Sequence, residues 1–149
     1  MRTIGSVAVL GAGTMGSGIA QVVARSGVPV KLYDALPGAA ERSSARVTSD
    51  LQRLAERGKI SPPDAAAAAE RVSAAGTLAD LAGADLVVEA VPEDLELKRR
   101  LFRDIDELLP GAVLATNTST LSVSAIAGAV RDPSRVAGMH FFNPAPLMP

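Results

Sequence analysis

The chain has 149 residues, of which 48% are apolar and 21% charged, with a formal net charge of −1. That length suits one domain with a sizeable core, and that charge gives no electrostatic case for nucleic acid or an anionic membrane as a partner. With no cysteine and a single histidine, disulfides, thiolate chemistry and a metal centre are not expected. The opening stretch "MRTIGSVAVLGAG" is too short an apolar run to cross a bilayer and lacks a signal-peptide cleavage pattern. The expectation is therefore a cytoplasmic protein.

Ser6 to Leu10 is short, apolar and β-branched, and glycines follow at once, so it reads as a buried parallel strand. A helix is expected from Thr14 to Arg25, ended by Ser26-Gly27. Val28 to Asp34 reads as the next strand. Pro37 can open a long helix reaching Arg57, with Gly58 as its stop. Ser61 can cap a further helix in "ISPPDAAAAAERV". Asp85 to Val91 reads as another buried strand. Asp94 to Leu109 carries Leu95, Leu101, Phe102, Ile105 and Leu108 in helical register, and Pro110-Gly111 breaks it. A strand over 112–116, a short helix over 122–130 and a last strand over 135–141 complete the pattern. Strands alternating with helices imply an α/β fold: a doubly wound, mainly parallel sheet of the Rossmann type, with no domain boundary inside residues 1–149.

Gly11, Gly13 and Gly16, in "GAGTMG", match G-x-G-x-x-G between a strand and a helix, the context that gives the pattern its mechanism. Gly11 would permit the tight turn, Gly13 the approach of a pyrophosphate, and Gly16 close helix packing. Backbone N–H groups of Ala12 to Met15 would then meet the phosphates at the helix start. Asp34 stands at the end of the second strand, where a carboxylate can accept from both ribose hydroxyls. It would repel a 2′-phosphate, and no arginine follows directly in "DALPG", which favours NAD over NADP. The bland alternative for Asp34 is a turn or cap acid.

The stretches "GAGTMGSGIAQ", "LVVEAVPEDLELK", "TNTSTLS" and "GMHFFNPAP" together resemble the NAD-binding domain of the 3-hydroxyacyl-CoA dehydrogenases, including the 3-hydroxybutyryl-CoA dehydrogenases of fatty acid metabolism and β-oxidation. The resemblance covers essentially the whole chain. It implies reversible oxidation of a 3-hydroxyacyl thioester with NAD, with His140 as general base, a role that suits an imidazole exchanging protons near neutral pH. It also implies that Ser119 hydrogen-bonds the reacting oxygen, that Asn143 helps to hold nicotinamide and substrate, and that Glu93 and Lys98 contact the cofactor. Asn117 and Ser119, on one loop, are also expected to contact the cofactor. Taken singly, Glu93 and Lys98 also read as a solvated helix-end pair, Asn117 and Ser119 as turn or cap residues, and His140 as structural.

Two departures accompany the resemblance. The family orients its histidine with a glutamate about a dozen residues downstream, and closes the acyl pocket with a helical second domain that supplies a homodimer interface. Neither lies within residues 1–149, so the chain is expected to be the N-terminal part of a longer enzyme, folding alone but nearly inactive. Its apolar residues Phe141, Phe142, Leu147 and Met148 are expected to promote association. The family also grips CoA with a serine and a lysine seven residues apart on one helix face; here those positions hold Asp50 and Arg57, with Lys59 just beyond. Arg57 and Lys59 are the candidate phosphate ligands. The acid at 50 keeps a carrier-protein thioester, or a free β-hydroxy acid, open as substrate, and a non-catalytic NAD-binding module is the alternative of another class.

Overall fold

The computed structural model describes residues 3–147 and places their strands in one sheet of six, all parallel. In chain order these are β1 (Val7–Leu10), α1 (Thr14–Arg25), β2 (Val30–Tyr33), α2 (Ala39–Glu56), α3 (Pro62–Glu70) and β3 (Val72–Ala74). A 3₁₀ turn (Leu78–Leu81) leads to β4 (Leu86–Glu89), α4 (Leu95–Leu108), β5 (Val113–Thr116), α5 (Val123–Ala127) and β6 (Val136–Gly138). The spatial order is β3-β2-β1-β4-β5-β6. The chain therefore reverses its direction of travel between β1 and β4, and a crevice opens at the carboxyl edge there.

The central strands β1, β4 and β5 are buried on both faces. Val7, Val9, Leu32 and Val88 pack beneath α1, α2 and α3, with Ile19, Ala20, Val47 and Leu51 from the helices. Ala8, Leu10, Val87 and Leu114 face the other way, against Phe102 and Ile105 of α4 and Ile126 of α5. Each of the Val, Leu, Ile and Phe side chains contributes about 1.5–3 kcal/mol by leaving water.

The helix boundaries follow from caps. Ser61 Oγ accepts from the Asp64 N–H (3.2 Å), Asp94 Oδ1 from the Leu97 N–H (2.9 Å), and Ser122 Oγ from the Ala125 N–H (3.2 Å). Far from the crevice, the buried carboxylate of Asp106 on α4 accepts from Arg131 Nε (2.8 Å) and from Arg135, pinning the connection into β6.

Three expectations change. The helix after Ser61 ends at Glu70, and Val72–Ala74 leaves it to form edge strand β3, paired with β2. The expected helix over 122–130 ends at Ala127. The last strand stops at Gly138, because beyond Met139, whose N–H donates to Thr116 O (2.9 Å), the chain leaves the β5 ladder; His140 therefore sits on a loop. Among the tail residues expected to be exposed, Phe142 is and Phe141 is half-buried, while Met148 and the side chain of Leu147 lie outside the described residues.

Candidate active site

A cleft of about 820 Å³ opens at the carboxyl edge, along the ends of β1, β2, β4, β5 and the loop after β6. Its centre is the glycine loop. Gly11 has φ of +100°, and a Cβ there would lie 2.5 Å from Ala90 O, so only glycine lets this turn sit against the end of β4. A Cβ on Gly16 would fall 1.7 Å from Gly11 O, so the first turn of α1 packs directly on the loop. Gly13 differs: a Cβ there would meet nothing within 4 Å, and the residue lines the cleft. Gly13 is also the residue that starts α1, and it brings no side-chain cap and no acidic residue follows in the first turn. The helix start therefore offers its N–H groups, with the positive end of its dipole, to an anion in the cleft.

On the β2 side stands Asp34. Its Oδ2 accepts from the Ala12 N–H and its Oδ1 from the Leu36 N–H, both at 2.8 Å. The acid thus does the job of a turn acid, bracing the glycine loop. Each oxygen still has a lone pair to offer, because a carboxylate can accept about four hydrogen bonds. Asp34 also lines the cleft, where two vicinal hydroxyls would find those open positions.

On the β4–β6 side the cleft gathers Glu93, Lys98, Asn117, Ser119, His140 and Asn143. Ser119 and His140 are exposed to the cleft, and the His140 ring lies 4.9 Å from that of Phe142, tilted by 51°. The His140 loop is tied to the β5 loop by the Phe141 N–H, which donates to Asn117 Oδ1 at 2.7 Å. Behind it, Ala145 is buried against α1, with Pro146 and Ala145 lying over Gly18.

Lys98 is not the solvated helix-end residue that its sequence also allowed. Its side chain is 1% exposed and its ammonium bonds Glu89 Oε1 (2.6 Å), Glu93 Oε1 (3.1 Å) and Val91 O (3.1 Å). Those three partners use all of its donors. Glu93 completes a clamp across the cleft wall, since its Oε2 accepts from Thr118 Oγ1 (2.7 Å) and Thr120 Oγ1 (3.0 Å). Desolvation pushes the Glu93 carboxyl up, but the hydrogen bonds from Thr118, Lys98 and Thr120 and the Lys98 charge outweigh it and hold the group below its ordinary value.

Sequence reasoning passed over Glu89, Thr116 and Thr118, all buried under this wall. The signal was present: a carboxylate inside the apolar run "DLVVEAV" needs a partner if the run is buried. Conversely, Ala12 and Gly16 shape the loop without lining the cleft. Arg57 and Lys59 are exposed and are not brought to the cleft either. They follow α2, whose 18 residues carry the chain about 27 Å from the carboxyl edge. Asp50, the acid of concern on that helix, is paired with Arg53 at 3.3 Å.

A parallel sheet with a glycine loop at its reversal point and an acid on the next strand defines a dinucleotide-binding Rossmann domain. The chain belongs to the family described as "3-hydroxyacyl-CoA dehydrogenase, NAD binding domain", whose model matches residues 6–149. It is 42% identical over 146 residues to a probable 3-hydroxybutyryl-CoA dehydrogenase of Bacillus subtilis, covering 97% of this chain and 51% of that protein. It is 43% identical over 149 residues to the 3-hydroxyadipyl-CoA dehydrogenase of Escherichia coli, covering 99% of this chain and 31% of that one. The crystal structure of (S)-3-hydroxybutyryl-CoA dehydrogenase from Ralstonia eutropha superposes with a TM-score of 0.92 at 37% identity, over 98% of this chain and 52% of that one. The chain thus spans about half, or less, of the length of these relatives. Among the described residues no helix is long and apolar enough to cross a membrane.

Proposed function

We propose that residues 1–149 are the NAD-binding domain of a cytoplasmic 3-hydroxyacyl-CoA dehydrogenase, a homodimer through a further domain, that interconverts a 3-hydroxyacyl thioester and its 3-oxoacyl product. The observation that carries this reading is the convergence in one cleft of Gly13 and Asp34 on one side with Ser119, His140 and Asn143 on the other. The residues fit the dinucleotide. The open space over Gly13 admits a pyrophosphate beside the start of α1, and Asp34 keeps acceptors for a ribose. Thr14 and Met15 line the same stretch.

When bound, the nicotinamide supplies the hydride acceptor at the C3 carbon. The protein's part is the proton and the position. The neutral imidazole of His140 takes the C3 hydroxyl proton as the C–H bond breaks and the carbonyl forms; in reverse the imidazolium returns it. The Ser119 hydroxyl donates to the reacting oxygen, whose negative charge grows as the proton leaves. Asn143 and Asn117 order the same end of the cleft, Asn117 by gripping Phe141 N–H. Glu93, held in the cleft wall as a carboxylate, would keep one acceptor position on Oε1 for a ribose hydroxyl. Arg57 and Lys59 would serve only a part of the thioester carrier that reaches well outside the cleft.

The test is turnover of 3-hydroxybutyryl-CoA with NAD by the polypeptide that carries this chain, with His140→Gln alongside. A fall of about 10²–10⁴-fold in kcat with NADH affinity kept is expected for loss of a general base. Unchanged kcat would reject His140 as the base.

A further inference from the structure

The reaction just proposed gives no task to Glu89, yet this is a carboxylate at the end of β4 with 0% exposure, facing a lysine that is 1% exposed. Stability does not account for the pair. Desolvating two charges costs about as much as their attraction returns, and apolar replacements often do as well. Such pairs are best attested as devices that specify one arrangement.

The partners of Glu89 show which arrangement. Its Oε1 accepts from Lys98 Nζ (2.6 Å) and from the Val91 N–H (2.7 Å), at the start of the loop leading to Glu93. Its Oε2 accepts from Thr116 Oγ1 (2.7 Å), and Thr116 Oγ1 accepts in turn from the Thr118 N–H (3.2 Å). Its backbone carbonyl takes the Asn117 N–H (2.8 Å). One buried residue is therefore bonded to the loop after β4, to α4, to Thr116 and to Asn117, and through Thr116 to Thr118.

From this we infer that Glu89 is a positioning residue for the nicotinamide half of the cleft. Through Lys98 it fixes Glu93; through Thr116 it fixes the turn that carries Asn117 and Ser119, and so the Asn117 grip on Phe141 beside His140. Glu89 is fully buried and does not line the cleft, so a ligand held there would not touch it. The adenosine half should be indifferent to Glu89, because Asp34 directly follows β2, across β1 from the β4–β6 side. The inference rests on the dinucleotide reading above and deepens it.

The test compares two probes on this chain: NADH, and ADP-ribose, which lacks the nicotinamide. Glu89→Gln is expected to weaken NADH about tenfold, the scale of one hydrogen bond to a charged group, and to leave ADP-ribose affinity unchanged. Thr116→Val keeps the buried ion pair and cuts only the relay; it should show a weaker form of the same split and carries the test if Glu89→Gln does not fold. A merely structural role would lower both affinities together or neither, and either result overturns the inference. Failure of the unsubstituted chain to bind either probe would overturn the dinucleotide reading itself, and the inference with it. Ordinary NADH affinity in both variants would overturn the inference alone.

Discussion

The Phe141 N–H donates to Asn117 Oδ1 at 2.7 Å, and this bond ties the loop carrying His140 to the loop carrying Ser119. Both proposed catalytic side chains sit on segments outside the sheet, where the ladder no longer dictates position. An amide side chain that reaches from one loop to the other substitutes for the ladder.

Asn117→Ala should therefore cost about 1 kcal/mol of stability, the typical value of one hydrogen bond whose partner is partly buried. The larger effect should fall on kcat for the thioester, with KM changed less, since His140 and Ser119 would be present but less well placed. Urea unfolding and steady-state kinetics on the polypeptide carrying this chain check the two halves of this expectation.

Gly13 and Gly16 should respond oppositely to the same added methyl group. In Gly16→Ala the new Cβ lands 1.7 Å from Gly11 O, so the loop must shift, at a cost of about 1–3 kcal/mol. Gly13 has φ of −77° and open space around its Cβ position, so Gly13→Ala should change stability by no more than about 1 kcal/mol. It should nevertheless weaken NADH, because the methyl group occupies the approach of the pyrophosphate. Paired unfolding and binding curves separate strain from obstruction.

The depressed Glu93 carboxyl gives a signed pH dependence. Against the desolvation that raises it, Thr118, Lys98 and Thr120 bring its folded value below the ordinary 4.5, so the folded state holds this proton less tightly than the unfolded chain does. Its contribution to stability is fully present above 4.5 and is lost as pH falls from there through the lower folded value. Glu93→Gln should flatten that part of the curve of Tm against pH and leave the neutral arm parallel to the original. Identical acid limbs would contradict the clamp.

Removing one partner of the buried pair should be worse than removing both charges. Lys98→Met leaves Glu89 at 0% exposure without its cation, with an expected loss of about 3–5 kcal/mol. Adding Glu89→Gln to that variant should recover most of the loss. Denaturant midpoints for the two single variants and the double one provide the cycle, and additive losses would show that the two charges do not depend on one another.

Much of the site was legible because its loops follow short apolar strands. The run Val7–Leu10 followed by glycine, and the helix Thr14–Arg25 after it, lie where periodicity and punctuation put them. Strand β3 was not legible: Val72–Ala74 follows an alanine-rich helix with no glycine or proline between, so helical periodicity runs on into it. Its strand character comes from pairing with β2, a contact distant in sequence. The buried Glu89–Lys98 pair was half legible. Lys98 stands four residues before Phe102 and seven before Ile105, on the buried stripe of α4, where a lysine must find a partner. That the partner is Glu89, and that Glu93 and the threonines join it, depends on β4 and β5 being neighbours.

In the proposed function the cleft holds a dinucleotide between Gly13 and Asp34. Calorimetric titration of this chain with NADH, beside its Asp34→Ala variant, tests it most directly. Saturable binding that the substitution weakens about tenfold or more, as expected for lost hydrogen bonds to a charged acceptor, is the predicted result. Saturable binding of equal strength in both, or no heat from the folded chain at any ligand concentration, would contradict it.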